Sequence, residues 1–272
     1  MIEFLKFIFL GFIQGITEPI PVSSSGHLLI FQHLLEDGLN NIDFEILATM
    51  TNFGSLIAVA LIYKDRLIEL IKSFFGYLKK KNKKDLPNFK YCWLIVIGTI
   101  PAGIMGIIVT KLELFDKLEK NMKFVGATLL VTALFLFLIR KLKGKKESED
   151  LTFKDAIVVG LFQVIALLPG ISRSGATIVG GMTQKFKRDT AFDFSFILYI
   201  PISLATALLG IKDLFTSHLT TGQWINYIGA TVIAGIFTYF ATKWFRNVVK
   251  EGKLIYFVIY CLVVGTTVLI FL

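Results

Sequence analysis

Two short stretches of the chain hold residues equipped for phosphate chemistry. The first reads Gln14-Gly15-Ile16-Thr17-Glu18-Pro19-Ile20-Pro21-Val22-Ser23-Ser24-Ser25-Gly26-His27, the second Pro169-Gly170-Ile171-Ser172-Arg173-Ser174-Gly175-Ala176-Thr177. Glu18, His27 and Arg173 are ionisable residues inside otherwise apolar segments. A charge at membrane depth is costly unless paired or hydrated, so each marks a functional site by default; the plainer reading is a Glu–Arg ion pair that locks two segments together. A serine ahead of a helix is first of all an N-cap. In a dry site, however, a half-helix N-terminus is also an anion trap, because free N–H groups and the helix dipole point at the ligand. Arg173 sharpens that reading, since a guanidinium grips phosphate through two parallel hydrogen bonds. The hydroxyls of Ser23, Ser25, Ser172, Ser174 and, a turn further on, Thr177 are then available for the remaining oxygens. His27 follows Ser24 by three residues, so both can share one helix face. A base beside a hydroxyl suits an activated nucleophile; a helix histidine bonded to a backbone carbonyl is the bland alternative. His33 and His218 read as interfacial or loop residues.

The elements that must position these groups are membrane helices. The chain has 272 residues, of which 54% are hydrophobic and only 18% charged, against about 25% charged in soluble domains. Residues 46–63, 91–110, 194–211, 214–242 and 254–272 contain no Asp, Glu, Lys or Arg. Runs of about 18 apolar residues or more can cross a hydrocarbon core of ~30 Å. The class expected is therefore an all-α polytopic membrane protein forming a single integral membrane domain. A soluble enzyme, a disordered chain and a secreted disulfide scaffold are excluded. Six full spans are expected at about 43–63, 91–111, 122–140, 191–211, 223–243 and 254–272. The net charge of +9 fits basic loops between spans and not a nucleic-acid partner. Cys92 and Cys261 fall in apolar spans and read as small buried hydrophobes. The N-terminal segment lacks a small-residue cleavage site and reads as part of the fold, not as a signal peptide.

Two apolar segments, 2–34 and 153–184, are too long for one span and too short for two. Proline and glycine break each near its middle: Pro19, Pro21 and Gly26 in one, Pro169, Gly170 and Gly175 in the other. Proline inside a helix removes a donor and clashes with the preceding turn, so each segment is expected to be a re-entrant pair of half-helices. Loop charge sets the orientation. The 64–90, 140–154, 185–188 and 243–253 loops are rich in Lys and Arg and should be cytoplasmic. The 34–42 loop, with Glu36 and Asp37, and the 211–223 loop, with only Lys212, should face outward; the 111–123 loop is mixed. On this threading the two broken segments enter from opposite faces.

They also resemble each other. Gly11-Phe12-Ile13-Gln14 parallels Gly160-Leu161-Phe162-Gln163, and Ser23-Ser24-Ser25-Gly26 parallels Ser172-Arg173-Ser174-Gly175 at the same offset. Asp43-Phe44 and Asp193-Phe194 open the next span in each half. An inverted-topology repeat is expected, with repeat 1 over about 1–111 and repeat 2 over about 153–243. Such repeats place a polar site near the membrane midplane, where half-helix N-termini converge.

The two motifs together resemble the undecaprenyl-diphosphate phosphatase family of the bacitracin-resistance type, over essentially the whole chain. Supporting stretches are Phe53-Gly54-Ser55-Leu56 and Phe194-Ser195-Phe196 followed by Pro201. The resemblance implies a cell-membrane enzyme that removes the terminal phosphate of the C55 polyprenyl diphosphate, recycling the carrier lipid for peptidoglycan synthesis, at a site reached from the outer face. It implies that Glu18, Ser24, His27, Ser172, Arg173, Ser174 and Thr177 occupy active-site positions. Gln14 stands where the family often has Glu, and Asn52 where relatives usually have Gln. A Mg²⁺ or Ca²⁺ ion is implied as a stimulating cofactor, with Glu18 and Gln14 the candidates to hold it, although the second carboxylate is missing. Ser24 attacks the terminal phosphorus or positions a water that does; Glu18 orients His27, acts as a base or helps hold metal. Architecture alone would equally suit a lipid-phosphate flippase or anion transporter, and the motifs favour the hydrolase. Gly98, Ala102 and Gly106 form a small-residue face that could pack helices within the chain or in a homodimer.

Overall fold

The computed structural model describes residues 2–35, 43–217 and 219–272. The acidic pair Glu36–Asp37 and His218 lie outside them. The described residues form helices, short turns and one isolated bridge between Lys146 and Phe186. The α-helices are α1 (Ile2–Thr17), α2 (Ser24–Leu34), α3 (Phe44–Ile62), α4 (Lys64–Lys80), α5 (Leu86–Lys111), α6 (Asp116–Glu119), α7 (Met122–Ile139), α8 (Phe153–Ile165), α9 (Arg173–Thr183), α10 (Arg188–Thr216), α11 (Thr221–Glu251) and α12 (Ile255–Phe271).

Helix starts follow the capping residues. Asp43 opens α3, its carboxylate accepting from the N–H groups of Glu45 and Ile46. Thr152 with Asp155 and Thr220 with Gln223 form capping boxes at α8 and α11. Asp193, expected to open its span in the same way, lies inside α10 and instead accepts from Tyr63 at 2.7 Å and Arg246 at 3.0 Å.

Five helices, α3, α5, α7, α10 and α11, are long and apolar enough to cross a membrane. The sixth expected span, α12, is apolar but has 17 residues; at 1.5 Å per residue it covers ~26 Å. Several helices overrun their expected ends because charged turns continue the helix beyond the apolar stretch: α11 runs to Glu251 through the expected 243–253 loop. The 64–90 stretch, expected as a basic loop, is mostly helix. The period of Leu67, Leu70 and Phe74, of which Leu70 and Phe74 meet α5, is masked by the charged residues around it and the lysine run that follows.

Polarity is turned inward. Thr51, Ser55, Ser195 and Thr238 are fully buried, while large apolar residues such as Ile104, Leu138, Leu208 and Val263 are exposed. That is the arrangement expected where the solvent is lipid and polar groups must find partners inside. Ser55 and Thr238 hydroxyls pair at 2.8 Å, and Thr238 donates to the Gly15 carbonyl. The interior around α10 is aromatic, with Phe192 stacked on Phe196 at 4.3 Å and tilted against Phe245.

The two broken segments are held by the opposite half of the chain. α1 lies along α11, and α8 lies along α5. The contacts are backbone-close: a Cβ at Gly11 would sit 2.4 Å from the Ala230 carbonyl oxygen, and one at Gly160 would sit 2.6 Å from that of Gly98. The expected small-residue face is accordingly used within the chain at Gly98 and at fully buried Ala102, whereas Gly106 faces open space. Both cysteines are free. Cys261 is buried, its thiol 3.7 Å from the Pro21 carbonyl, and Cys92 is half-buried.

Candidate active site

Both broken segments turn where the sequence places their prolines. The first leaves helix after Thr17 and resumes at Ser24; the second leaves after Ile165 and resumes at Arg173. Ser23 and Ser172 cap the second half-helices identically, each hydroxyl accepting from the N–H three residues on, Gly26 or Gly175, at 3.1 Å. Both capping serines are buried, so at these two positions the N-cap reading holds. Gly170 has φ of 87°, and a Cβ there would collide with the Thr128 hydroxyl at 2.0 Å, so no other residue fits the second turn.

The two turns meet. A Cβ on Gly26 would lie 3.1 Å from the Gly170 Cα, and one on Gly175 would lie 3.2 Å from Pro21 Cβ. The first residues of α2 and α9, Ser24 and Arg173, therefore start from adjoining points, and Glu18 bridges them. Its Oε1 accepts from Arg173 Nη2 at 2.7 Å; its Oε2 accepts from the Ser24 hydroxyl at 2.5 Å and from Gln14 Nε2 at 3.0 Å. Acid, hydroxyl and guanidinium, drawn from segments far apart in sequence, thus form one chain of hydrogen bonds. Arg173 also lies flat on Tyr199, its guanidinium carbon 3.8 Å from the ring centroid. Tyr199 in turn donates to the Asn52 side-chain oxygen at 2.6 Å. One guanidinium nitrogen, Arg173 Nη1, is buried with no hydrogen-bond partner. A buried donor on a cation is costly to leave unmade.

His27 is placed differently from the sequence expectation. Its Nδ1 is 2.8 Å from the Ser23 carbonyl and its Nε2 is 2.8 Å from the Tyr260 hydroxyl, with the two rings stacked. Neither nitrogen bonds Ser24; the group that accepts from that hydroxyl is the Glu18 carboxylate, and the bond to the Ser23 carbonyl is the plainer arrangement for a helix histidine. Ser174 and Thr177 are buried, and Thr177 bonds Ser195 at 2.5 Å and the Arg173 carbonyl at 2.9 Å, tying α9 to α10. Ser25 is exposed, 3.3 Å from the Ser23 hydroxyl. As for metal, no group of three or more His, Cys, Asp or Glu occurs among the described residues. Glu18 is the one carboxylate bonded in this cluster, and both its oxygens are engaged by Arg173, Ser24 and Gln14. That donor set does not fit a resident divalent cation, which takes several oxygen ligands.

Comparison with known proteins shows the family. Residues 7–267 match the family model described as bacitracin resistance protein BacA. The chain belongs to the BacA family. It is 44% identical, over 98% of its length and 97% of the relative's, to a Bacillus licheniformis protein named undecaprenyl-diphosphatase 1. A Bacillus thuringiensis protein named undecaprenyl-diphosphatase 2 is 46% identical over 98% of this chain and 97% of its own length. An Oceanobacillus iheyensis protein named undecaprenyl-diphosphatase is 43% identical, covering 98% of this chain and 96% of itself. Sequence reasoning overlooked Tyr199 and Tyr260. The available signal was general: a tyrosine in an apolar span must find a hydrogen-bond partner for its hydroxyl.

Proposed function

We propose that this chain hydrolyses undecaprenyl diphosphate to undecaprenyl phosphate and inorganic phosphate. The observation that carries the mechanism is the Ser24–Glu18–Arg173 chain, with a buried, unanswered donor on Arg173. Phosphoryl transfer asks a protein mainly for positioning and charge stabilisation. Arg173 Nη1 and the N–H groups opening α2 and α9 take up the phosphate oxygens. Stacking on Tyr199 keeps the guanidinium fork fixed while it does so. Ser24 Oγ attacks the terminal phosphorus as its proton passes to Glu18 Oε2. The P–O bond to the bridging oxygen breaks, and undecaprenyl phosphate leaves with the electron pair. Water then cleaves the phosphoserine, restoring the Ser24 hydroxyl and releasing phosphate. His27, clasped between the Ser23 carbonyl and Tyr260, holds the start of α2 in register. Ser25 adds an exposed hydroxyl at the rim, and buried Ser174 pairs with the capping Ser172 beneath it. The Mg²⁺ or Ca²⁺ ion expected from the resemblance is taken here to travel with the diphosphate, whose own oxygens supply ligands; no step depends on it.

The same proposal covers placement in the membrane. The segments α1–α2 and α8–α9 are read as re-entrant hairpins from opposite faces of one domain, related as an inverted repeat, with five long helices and α12 around them. Support comes from the matching caps, the matching glycines and the crosswise packing of α1 on α11 and α8 on α5. Basic loops orient the domain with those loops at the cytoplasmic face, and the opening of the site on the outer face is taken from the family resemblance.

Phosphate release from undecaprenyl diphosphate by the purified protein in detergent tests the reading, because hydrolysis needs no sealed compartment whereas transport does. Absence of release by the parent protein would end the hydrolase proposal. Full activity of Ser24→Ala would remove the covalent step and leave a water activated by Glu18.

A further inference from the structure

One element has no counterpart in the other half. α10 is followed by α11 within a few residues, whereas α4 and the Lys-rich turn after it are inserted between α3 and α5. α4 presents three faces. Leu70 and Ser73 are buried toward α5, where Phe74 stacks on Phe89 at 5.2 Å, Tyr77 meets the same ring at 4.6 Å and Asn88 donates to Ser73. Asp65, Glu69, Lys72 and Lys79 form a charged face. The third face is apolar and uncovered: Ile68, Ile71, Phe75 and Leu78 are each about half exposed, at 49%, 56%, 54% and 53%. Their 3-4-3 spacing makes a continuous stripe.

Two further observations say what covers that stripe. First, α4 crosses α5 steeply. Its contacts run from Arg66, over the Tyr91 ring, to Tyr77, yet on α5 they stay near Asn88, Phe89, Tyr91 and Cys92. A helical stretch rising ~16 Å is thus laid across one rising only ~6 Å. Since α5 is long and apolar enough to cross a membrane, α4 runs close to the membrane plane at the end of that span. Second, the stripe ends in Lys79, Lys80, Lys81, Lys83 and Lys84, all exposed. An apolar stripe with a basic cluster at its end is the chemistry of a helix lying in an anionic lipid interface.

We propose that α4 is an interfacial helix that docks on anionic phospholipid. Ile68, Ile71, Phe75 and Leu78 enter the acyl boundary, while the lysines gather acidic headgroups. The inference rests on the membrane placement above but not on the phosphatase chemistry.

The test uses the full chain carrying Phe75→Trp, reconstituted in vesicles of phosphatidylcholine with phosphatidylglycerol. Quenching of the added indole, taken as the difference from the parent protein, is read with bromine placed on the chains of one lipid or the other. Both lipids should quench, and phosphatidylglycerol should quench at least ~2-fold more strongly at equal mole fraction, given the attraction of several lysines for acidic lipid. Joint replacement of Lys79, Lys80, Lys83 and Lys84 by Gln should level the two without abolishing quenching. Retained phosphate release by both variants serves as the control for folding. No quenching by either lipid would overturn the proposal, pointing to a stripe in water or covered by a second copy. So would equal quenching by the two lipids in the protein with its lysines intact, or a preference that survives their removal.

Discussion

The two hairpins share a plan and differ in what they are asked to do. Both break at proline, both restart on a capping serine, and both press a glycine into a helix of the other half. The second is anchored on all sides. Thr128 donates to the Pro169 carbonyl at 2.7 Å, the Ser172 N–H donates to Thr132 at 3.2 Å, and every residue of α9 from Ser174 to Met182 is buried. Its capping serine sits at an ordinary φ of −71°. In the first, only part of α2 is buried, the turn meets the thiol of Cys261 and the hydroxyl of Tyr260 through the Pro21 carbonyl and His27, and the capping Ser23 has φ of 70°, a conformation few non-glycine residues adopt. The segment that carries Arg173 is the more deeply buried; the one that carries Glu18 and Ser24 stores backbone strain at its cap, as functional segments often do. On the function proposed above, the Arg173 segment would supply electrostatics and the other proton transfer.

Breaking the Arg173 side should cost most. Arg173→Ala should lower turnover by ~10³-fold or more, as expected when a main stabiliser of transition-state charge is lost. Arg173→Lys should recover little, because an ammonium replaces neither the fork nor the stack on Tyr199. Phosphate release from the purified variants measures both, and a near-normal Arg173→Ala would remove the electrostatic half of the comparison. On the other hairpin, Glu18→Gln keeps the shape but loses the base and should lower kcat by roughly 10²- to 10⁴-fold. A kcat that stays put while KM rises would recast Glu18 as a partner for Arg173 only.

Tyr260→Phe should have a smaller effect. It removes one hydrogen bond to His27, of ~1 kcal/mol, so about a 5-fold fall in kcat is expected if His27 only positions α2. A loss as deep as that of Glu18→Gln would return His27 to proton transfer. The smallest effect separates two equivalent amides. Gln14 bonds Glu18, whereas Gln163, at the matching place in α8, is buried with neither end partnered. Gln163→Leu should therefore leave activity intact and raise stability by up to ~1 kcal/mol, read as a higher midpoint of thermal unfolding in detergent. Gln14→Leu should do neither.

Legibility in the sequence followed locality. Both breaks, both serine caps and the juxtaposition of Glu18 with Arg173 could be read because Pro, Gly and Ser act within a few residues and intramembrane charges demand partners. For His27 the same reasoning reached the backbone-carbonyl partner, Ser23, but not the second one. The i, i+3 rule put it on a face with Ser24, but a ring nitrogen also bonds across space, and Tyr260 lies at the far end of the chain. Tyr199 beneath Arg173 was invisible for the same reason: nothing near it in sequence distinguishes it from any interfacial tyrosine. The 64–90 region failed differently. Its helical period was present, but dense lysines made it look like loop, since charge content was weighed before spacing. At α12 the apolar run was legible, and its 17 residues lie at the lower end of the length that spans a bilayer.

The crosswise lodging of α1 against α11 has a consequence for biogenesis. α1 finds its permanent berth only when synthesis has reached α11, about two hundred residues later. Until then the seam that ends as Gly11 against Ala230 must be filled by lipid or by the insertion machinery. A chain cut short before α11 would keep every active-site side chain named above except Tyr260 and still be unable to seat the hairpin that carries Glu18 and Ser24.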